Sequence, residues 1–149
     1  MVVVAKILRT LRAMRPIGLV PELYVKDIRQ TRAFYVGLLG FEVLYERPED
    51  NFIYAQRGNA QVMFDELGSS RDWITGDIEY PYGRGINFQI QVESVDELYK
   101  KVVEHGIKPF LPLEDKWYRK NDMYVGNRQF MIQDPDGYLL RFFQDLGAG

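Results

Sequence analysis

Leu23-Tyr-Val-Lys-Asp27 and Ile90-Gln-Val-Glu-Ser94 decide the fold, because each opens the same succession of patterns. The first is followed by a helical run to Gly40 and then Phe41-Glu-Val43. The second is followed by a helical run to Gly106 and then Ile107-Lys-Pro109. Nearly half of the 149 residues separate Asp27 from Ser94. A half-length repeat predicts two fused copies of one strand–helix–strands unit, with a site between them. Working outward, Leu19, Pro21, Leu23 and Val25 alternate with Val20, Glu22 and Tyr24, the period of a half-buried strand. Asp27 is suited to an N-cap, with Gln30 three residues on. Ile28 to Leu39 then reads as a helix stopped by Gly40. Residues 41–45, 52–56 and 60–65 read as strands, with Arg57-Gly-Asn59 as a hairpin turn whose Gly and Asn tolerate positive φ.

The second half repeats the plan. Ile86, Phe88, Ile90 and Val92 share a face opposite Asn87, Gln89 and Gln91. Ser94-Val-Asp-Glu97 is a capping box before a helix over 95–105, which Gly106 ends. Strands are expected at 107–110, 129–133 and 138–143, the last two joined by Asp134-Pro-Asp-Gly137. Residues 67–85 form a linker. Residues 111–126 read as a long loop holding Trp117, Tyr118 and Tyr124, and long loops in compact domains are often binding elements. The expected class is α+β: two tandem βαβββ modules, 17–66 and 86–146, forming a concave mixed β-sheet cup with the helices outside. They make one domain, 16–149, preceded by an extension, 1–15. Strand parity puts Val62 and Phe64 under the first helix. Gln61, Met63 and Asp65 then face the concavity with Val20, Glu22, Tyr24, Asn87, Gln89 and Gln91, a semi-polar interior unusual for a purely structural core.

Composition bounds the partners. At 46% hydrophobic, a chain of this length buries roughly two-thirds of its unfolded surface in one core. Cysteine is absent, which excludes disulfides, thiolate metal sites and a Cys nucleophile. No apolar run approaches the ~18 residues that span a bilayer, and the expected location is cytoplasmic. Of 19 basic residues, Lys6, Arg9, Arg12 and Arg15 fall in the acid-free first fifteen; the remaining 15 face 21 acids, net −6. That balance favours a neutral or cationic partner over nucleic acid. The extension is loosely amphipathic, and Val2-Val-Val-Ala5 is too short for a secretory apolar region. It reads as an extra helix or an upstream start before Met14.

Leu23-Tyr-Val-Lys-Asp27 with Ala33-Phe-Tyr35 and Leu39-Gly-Phe41, then Val92-Glu-Ser-Val-Asp-Glu-Leu98, then Asp134-Pro-Asp-Gly-Tyr138 resemble the vicinal oxygen chelate superfamily, which includes glyoxalases, extradiol dioxygenases and bleomycin resistance proteins. The resemblance covers residues 17–146. Ala55-Gln-Arg-Gly58 and Asp134-Pro-Asp-Gly-Tyr-Leu-Leu-Arg141 look most like the bleomycin resistance branch, which implies a dimer with ligand crevices between subunits. The superfamily's enzymes hold a divalent metal with His and Glu. By the resemblance those positions fall on Val20, Met63 (or Asp65, on the same face), Asn87 and Arg141. Valine and methionine offer a hard cation no useful ligand, asparagine one weak carbonyl, and arginine a permanent positive charge. The resemblance therefore implies the fold without glyoxalase chemistry, and neither metal nor cofactor is expected.

His105, the single histidine, reads as a cation at a helix end. Asp134 and Asp136 read as turn formers, and Glu114-Asp115 as a solvated pair. Phe34, Tyr35, Phe41, Phe88 and Phe142 fit a core. Tyr24, Phe52, Tyr54, Trp73, Trp117, Tyr118 and Tyr124 lie on expected cup faces, strand ends or the long loop. Near Glu49, Asp50, Asp65, Glu66 and Asp115 they suit a planar cation through stacking and charge; a dimer interface would use the same aromatics. The expected ligand residues are Glu22, Tyr24, Phe52, Tyr54, Met63, Asp65, Asn87, Gln89, Trp117, Tyr118, Tyr124 and Arg141. The expected function is a metal-free, homodimeric protein that sequesters an aromatic, cationic drug or natural product, as bleomycin resistance proteins do. The alternatives are an enzyme of the same fold with an altered site, and a small-molecule sensor or carrier.

Overall fold

The computed structural model describes residues 1–6, 17–69 and 71–149. Within the extension, residues 2–6 are helical; the rest of the helix expected there lies outside the described residues. The first module runs β1 (Glu22–Val25), α1 (Ile28–Arg32), β2 (Glu42–Arg47), β3 (Phe52–Arg57) and β4 (Ala60–Glu66). The second runs β5 (Asn87–Gln91), α2 (Val95–Glu104), β6 (Leu111–Lys120), β7 (Met123–Gln133) and β8 (Leu139–Ala148). Each makes a four-stranded mixed sheet, ordered β1-β4-β3-β2 and β5-β8-β7-β6. In both, the first strand pairs parallel with the fourth, and the other pairs are antiparallel. This is the duplicated α+β plan that the repeat predicts. No helix among the described residues is long and apolar enough to cross a membrane.

The helices start where the caps predict. The Asp27 carboxylate accepts from Arg29 N at 2.9 Å, and Ser94 Oγ accepts from Glu97 N at 3.4 Å, each satisfying a donor that the first turn leaves free. A second acceptor reaches each first turn from the fourth strand of the sheet. Glu66 Oε2 accepts from Ile28 N at 2.9 Å, and Gln144 Oε1 from Val95 N at 3.2 Å. The duplication thus extends to side chains. Three expectations are corrected. The first helix is α only to Arg32; Ala33–Leu38 is π-helical, with Leu39 N donating to Phe34 O at 3.0 Å. Residues 107–110 are not a strand, because Pro109 has no N–H to pair and Ile107 N turns back to Val102 O. The loop expected at 111–126 is most of a β-hairpin, with Lys120 opposite Met123 and Asn121 at φ 55 in the two-residue turn.

One core unites the modules. Leu23, Val25, Tyr35, Phe41, Val62 and Phe64 on the helix side of the first sheet join Ile90, Val92, Leu98, Val102, Phe130 and Leu140 of the second. The polar joint forms at the 134–138 turn. Tyr35 Oη donates to Asp134 Oδ2 at 2.6 Å, Lys26 N to Asp136 Oδ1 at 3.0 Å, and Tyr138 Oη to Tyr24 O at 2.9 Å. The end of the linker holds the same turn, through Tyr82 N to Asp136 O at 2.9 Å. Gly83, at φ 72, leaves room for the Tyr138 ring, which a Cβ would meet at 2.6 Å. Asp134 and Asp136 are turn formers, as expected, and also the latch between the halves.

Candidate ligand-binding site

Each sheet has a face turned away from its helix, and strand register fixes what it carries. On the first sheet, Glu22 is opposite Met63 and Tyr24 opposite Asp65; across the next pair, Phe52 is opposite Asp65 and Tyr54 opposite Met63. All six share one face with Gln61. Sequence reasoning left Tyr45 and Arg47 out of this set. The irregularity between Val43 and Tyr45 shifts the alternation, so Tyr45 lies 5.1 Å from the Tyr54 ring and 6.0 Å from Phe52. The Arg47 guanidinium stands 3.8 Å over the Phe52 ring, a cation–π contact. Tyr54 Oη donates to Gln61 Oε1 at 2.6 Å, and Gln61 Nε2 to Gln56 Oε1 at 2.8 Å. The linker crosses the other end, where Tyr24 Oη donates to Arg71 O and accepts from Trp73 N at 3.0 Å.

This face is aromatic, acidic and largely covered: Phe52, Tyr54, Gln61 and Asp65 are all buried. Burial, with Asp65 beside it, holds the Glu22 carboxyl above its ordinary range, against the opposing pull of Arg47. Burial also raises the Tyr54 hydroxyl. A cation brought against Glu22 and Asp65 would relieve their mutual repulsion.

The second sheet's equivalent face is open and rich in amides. Asn87, Gln89 and Gln91 are exposed. Gln89 is opposite Arg141, Met131 also opposite Arg141, and Glu114 opposite Gln129. Arg141 Nη2 donates to Gln89 Oε1 at 2.6 Å. Gln129 Nε2 donates to Glu114 Oε1 at 3.0 Å and to Tyr118 Oη at 2.7 Å. Gln129, a strand interior position of β7, is a residue the sequence reading passed over. Trp117 and Tyr124 do not join this face. Alternation along β6 and β7 turns them to the other side from Tyr118, where the Trp117 ring lies over Gly126.

The structure thus gathers Glu22, Tyr24, Phe52, Tyr54, Met63 and Asp65 on one face, and Asn87, Gln89, Tyr118 and Arg141 on another. A cavity of about 840 Å³ runs between the modules beside the sheet edges that β1 and β5 form. Its apolar lining includes Leu23, Val62, Ile90 and Leu140, and its polar lining Gln61, Asn87 and Gln89. Among the described residues, no three His, Asp or Glu side chains are grouped so as to hold a metal. The residues at the metal-ligand positions that the resemblance gives do not fit one: Arg141 brings a cation that is already bonded to Gln89.

The family model for the glyoxalase/bleomycin resistance protein/dioxygenase superfamily matches residues 17–142. Bleomycin resistance proteins from Geobacillus stearothermophilus and Staphylococcus aureus are 29% identical over 136 residues, covering 85% of this chain and 96% of theirs. Among solved structures, TioX from Micromonospora sp. ML1 superposes with a TM-score of 0.66 at 23% identity, covering 88% of this chain and 100% of that one. An integron cassette protein from the mobile metagenome of Vibrio cholerae gives 0.64 at 19%, covering 88% and 97%. At such identities the two structures attest the fold alone.

Proposed function

We propose a metal-free, sequestering small-molecule binder, starting from the fact that this chain belongs to the glyoxalase/bleomycin resistance protein/dioxygenase superfamily. Its relatives among bleomycin resistance proteins give it a bleomycin-resistance-like role at the level of the family. The observation that carries the finer reading is Arg141. It stands where the resemblance would place a metal ligand, and its guanidinium bonds an amide. The ligand is a drug or natural product with a flat aromatic part and a cationic or amide-rich part. The flat, cationic part suits Tyr24, Phe52, Tyr54, Glu22 and Asp65, and the amide-rich part suits Asn87, Gln89, Tyr118 and Arg141. Capture in the cytoplasm, without turnover, is the protective act.

A homodimer accompanies this reading. Both β1 and β5 are edge strands, and unpaired edges beside an apolar cavity are surfaces that proteins normally cover. Light scattering at micromolar concentration is expected to give twice the chain mass; a monomer overturns the shared-crevice arrangement. Mass spectrometry of the native protein is expected to find no stoichiometric Zn, Fe, Ni or Mn. Titration calorimetry with metal-free bleomycin and related DNA-damaging natural products should find a binder with one site per chain. Stacking and charge contacts of about 1 kcal/mol each must act together to reach the roughly −8 kcal/mol of micromolar affinity. The ligand should be recovered chemically unchanged. Its conversion, or a tightly held metal, would replace sequestration with enzymatic chemistry.

A further inference from the structure

We propose that the open face of the second sheet is a docking station for a ligand's carboxamide, with Arg141 Nε–H as the donor and Gln129 Oε1 as the acceptor. The proposal rests on the ligand-binding reading above and names the chemical group that this half of the site takes. Two buried polar atoms carry it. Gln129 is 2% exposed, and both bonds its side chain makes leave from the nitrogen. One goes to a Glu114 carboxyl oxygen, which accepts it, so the amide nitrogen is turned to Glu114 and Oε1 is the atom left without a partner. Arg141 Nη2 is engaged by Gln89, while its Nε is buried and also without a partner. Native proteins pair nearly all such groups, because one left unmade in the interior costs its full desolvation. A donor and an acceptor left unpaired on one sheet face are complementary to a group carrying both.

Register places them. Arg141 is opposite Met131, and Gln129 lies two residues along β7 on the same side. Diagonal neighbours of this kind stand about 7–8 Å apart along the backbone. A carboxamide carries an acceptor oxygen and donor N–H groups on one carbon, so a single ligand group can bridge side chains that stand on diagonal positions. Charge selects the amide over an acid. Glu114 is bonded to Gln129, so a carboxylate drawn to Arg141 would meet a like charge at the other end of the station. A neutral amide meets a cation at its oxygen and the Gln129 carbonyl oxygen at its N–H. Both atoms are buried in the unliganded chain, so a ligand reaches them from the side of the exposed Asn87, Gln89 and Gln91 by displacing the side chains that cover them.

The test follows the arginine side-chain N–H of the full wild-type chain by nitrogen-15 NMR, with benzamide, benzoate and benzylamine as probes. Benzamide is expected to move the Arg141 Nε–H resonance saturably; benzoate and benzylamine are not. An unmoved resonance at saturating benzamide, or one that benzoate moves instead, overturns the proposal. In parallel, Arg141→Lys is expected to weaken metal-free bleomycin at least tenfold. It should leave ethidium, a flat cation without a carboxamide, within twofold. Equal loss for both probes marks general damage to the fold and overturns the assignment of Arg141. If wild-type chain binds neither bleomycin nor ethidium, the sequestration reading fails, and the benzamide titration still decides the station.

Discussion

The two sheets share one backbone plan and present opposite surfaces. Away from α1, the first sheet buries Phe52, Tyr54, Gln61 and Asp65. Away from α2, the second leaves Asn87, Gln89 and Gln91 in solvent. The parity rule that sorts residues between faces holds in both, because alternation belongs to the backbone. Burial depends on what lies over the face. Over the first lie Tyr45, the Arg47 guanidinium on Phe52, and the linker strap at Tyr24. In the proposed binder, one half offers packed aromatic surface with acids, and the other offers amide and guanidinium groups, exposed along β5 and buried at Gln129. The largest expected effect tests this contrast. Phe52→Ala should cost about 3–4 kcal/mol of stability in urea denaturation, through lost burial and a cavity. Gln89→Ala should stay within about 0.5 kcal/mol. Equal costs would break the contrast.

The same contrast explains what could be read from the sequence. Strands 22–25 and 87–91 were legible because one side of each is more buried than the other, which writes a period of two. Strand 60–66 is buried on both faces, and there Val62 and Phe64 alternating with Gln61 and Asp65 wrote it. The caps at Asp27 and Ser94 were legible because they act over three residues. The β6 strand was hidden for the opposite reason. Glu114 to Lys120 is polar but for Trp117 and Tyr118, and most of it is exposed on both sides, so no asymmetry of burial marks its alternation. The π-helical turn was hidden because apolar residues at 34, 35, 38 and 39 suit either winding. The Tyr35–Asp134 bond joins residues distant in sequence, and no local pattern announces it.

The burial of that bond's acceptor makes the joint between the modules pH-dependent. Burial pushes the Asp134 carboxyl up to about 6, against the lowering effect of its bonds from Tyr35, Tyr138 and Asp136. Burial likewise raises Asp136. A carboxyl whose folded pKa exceeds its unfolded value binds its proton more tightly in the folded state. Its contribution to stability is therefore fully present below the unfolded value of about 3.9 and is lost as pH rises through the folded one. Between pH 7 and 4 the wild-type joint should gain about 2 kcal/mol relative to Asp134→Asn, which cannot titrate there. Parallel denaturation curves at the two pH values check this. A wild-type gain no larger than the variant's would show that the buried latch does not hold this carboxyl. The change should appear as one cooperative transition, since a single core spans both modules.

Smaller effects distinguish the two helix starts. Both use an N-cap and an acceptor from the fourth strand, but α1 has no acid in its own first turn, whereas α2 has Asp96 and Glu97. Removing the Ser94 hydroxyl leaves the Glu97 N–H without its cap, so Ser94→Ala should cost about 1 kcal/mol. Its thermal midpoint should fall by several degrees.

Glu66→Gln asks a finer question. Glutamine's amide oxygen can still accept from Ile28 N, so the hydrogen bond survives and only the charge is removed. At α1 that charge, with Asp27, supplies the negative end that the helix dipole favours, and no first-turn acid replaces it. The expected loss is about 0.5 kcal/mol in low salt, shrinking toward zero at 1 M NaCl as screening shortens the field to about 3 Å. The same exchange in reverse, Gln144→Glu, should gain less, because Asp96 and Glu97 already occupy the first turn of α2 and repel a third acid. A salt-independent loss at Glu66 would mean that its bonds from Asn51 Nδ2 and Ser69 Oγ, rather than the dipole, give this carboxylate its worth.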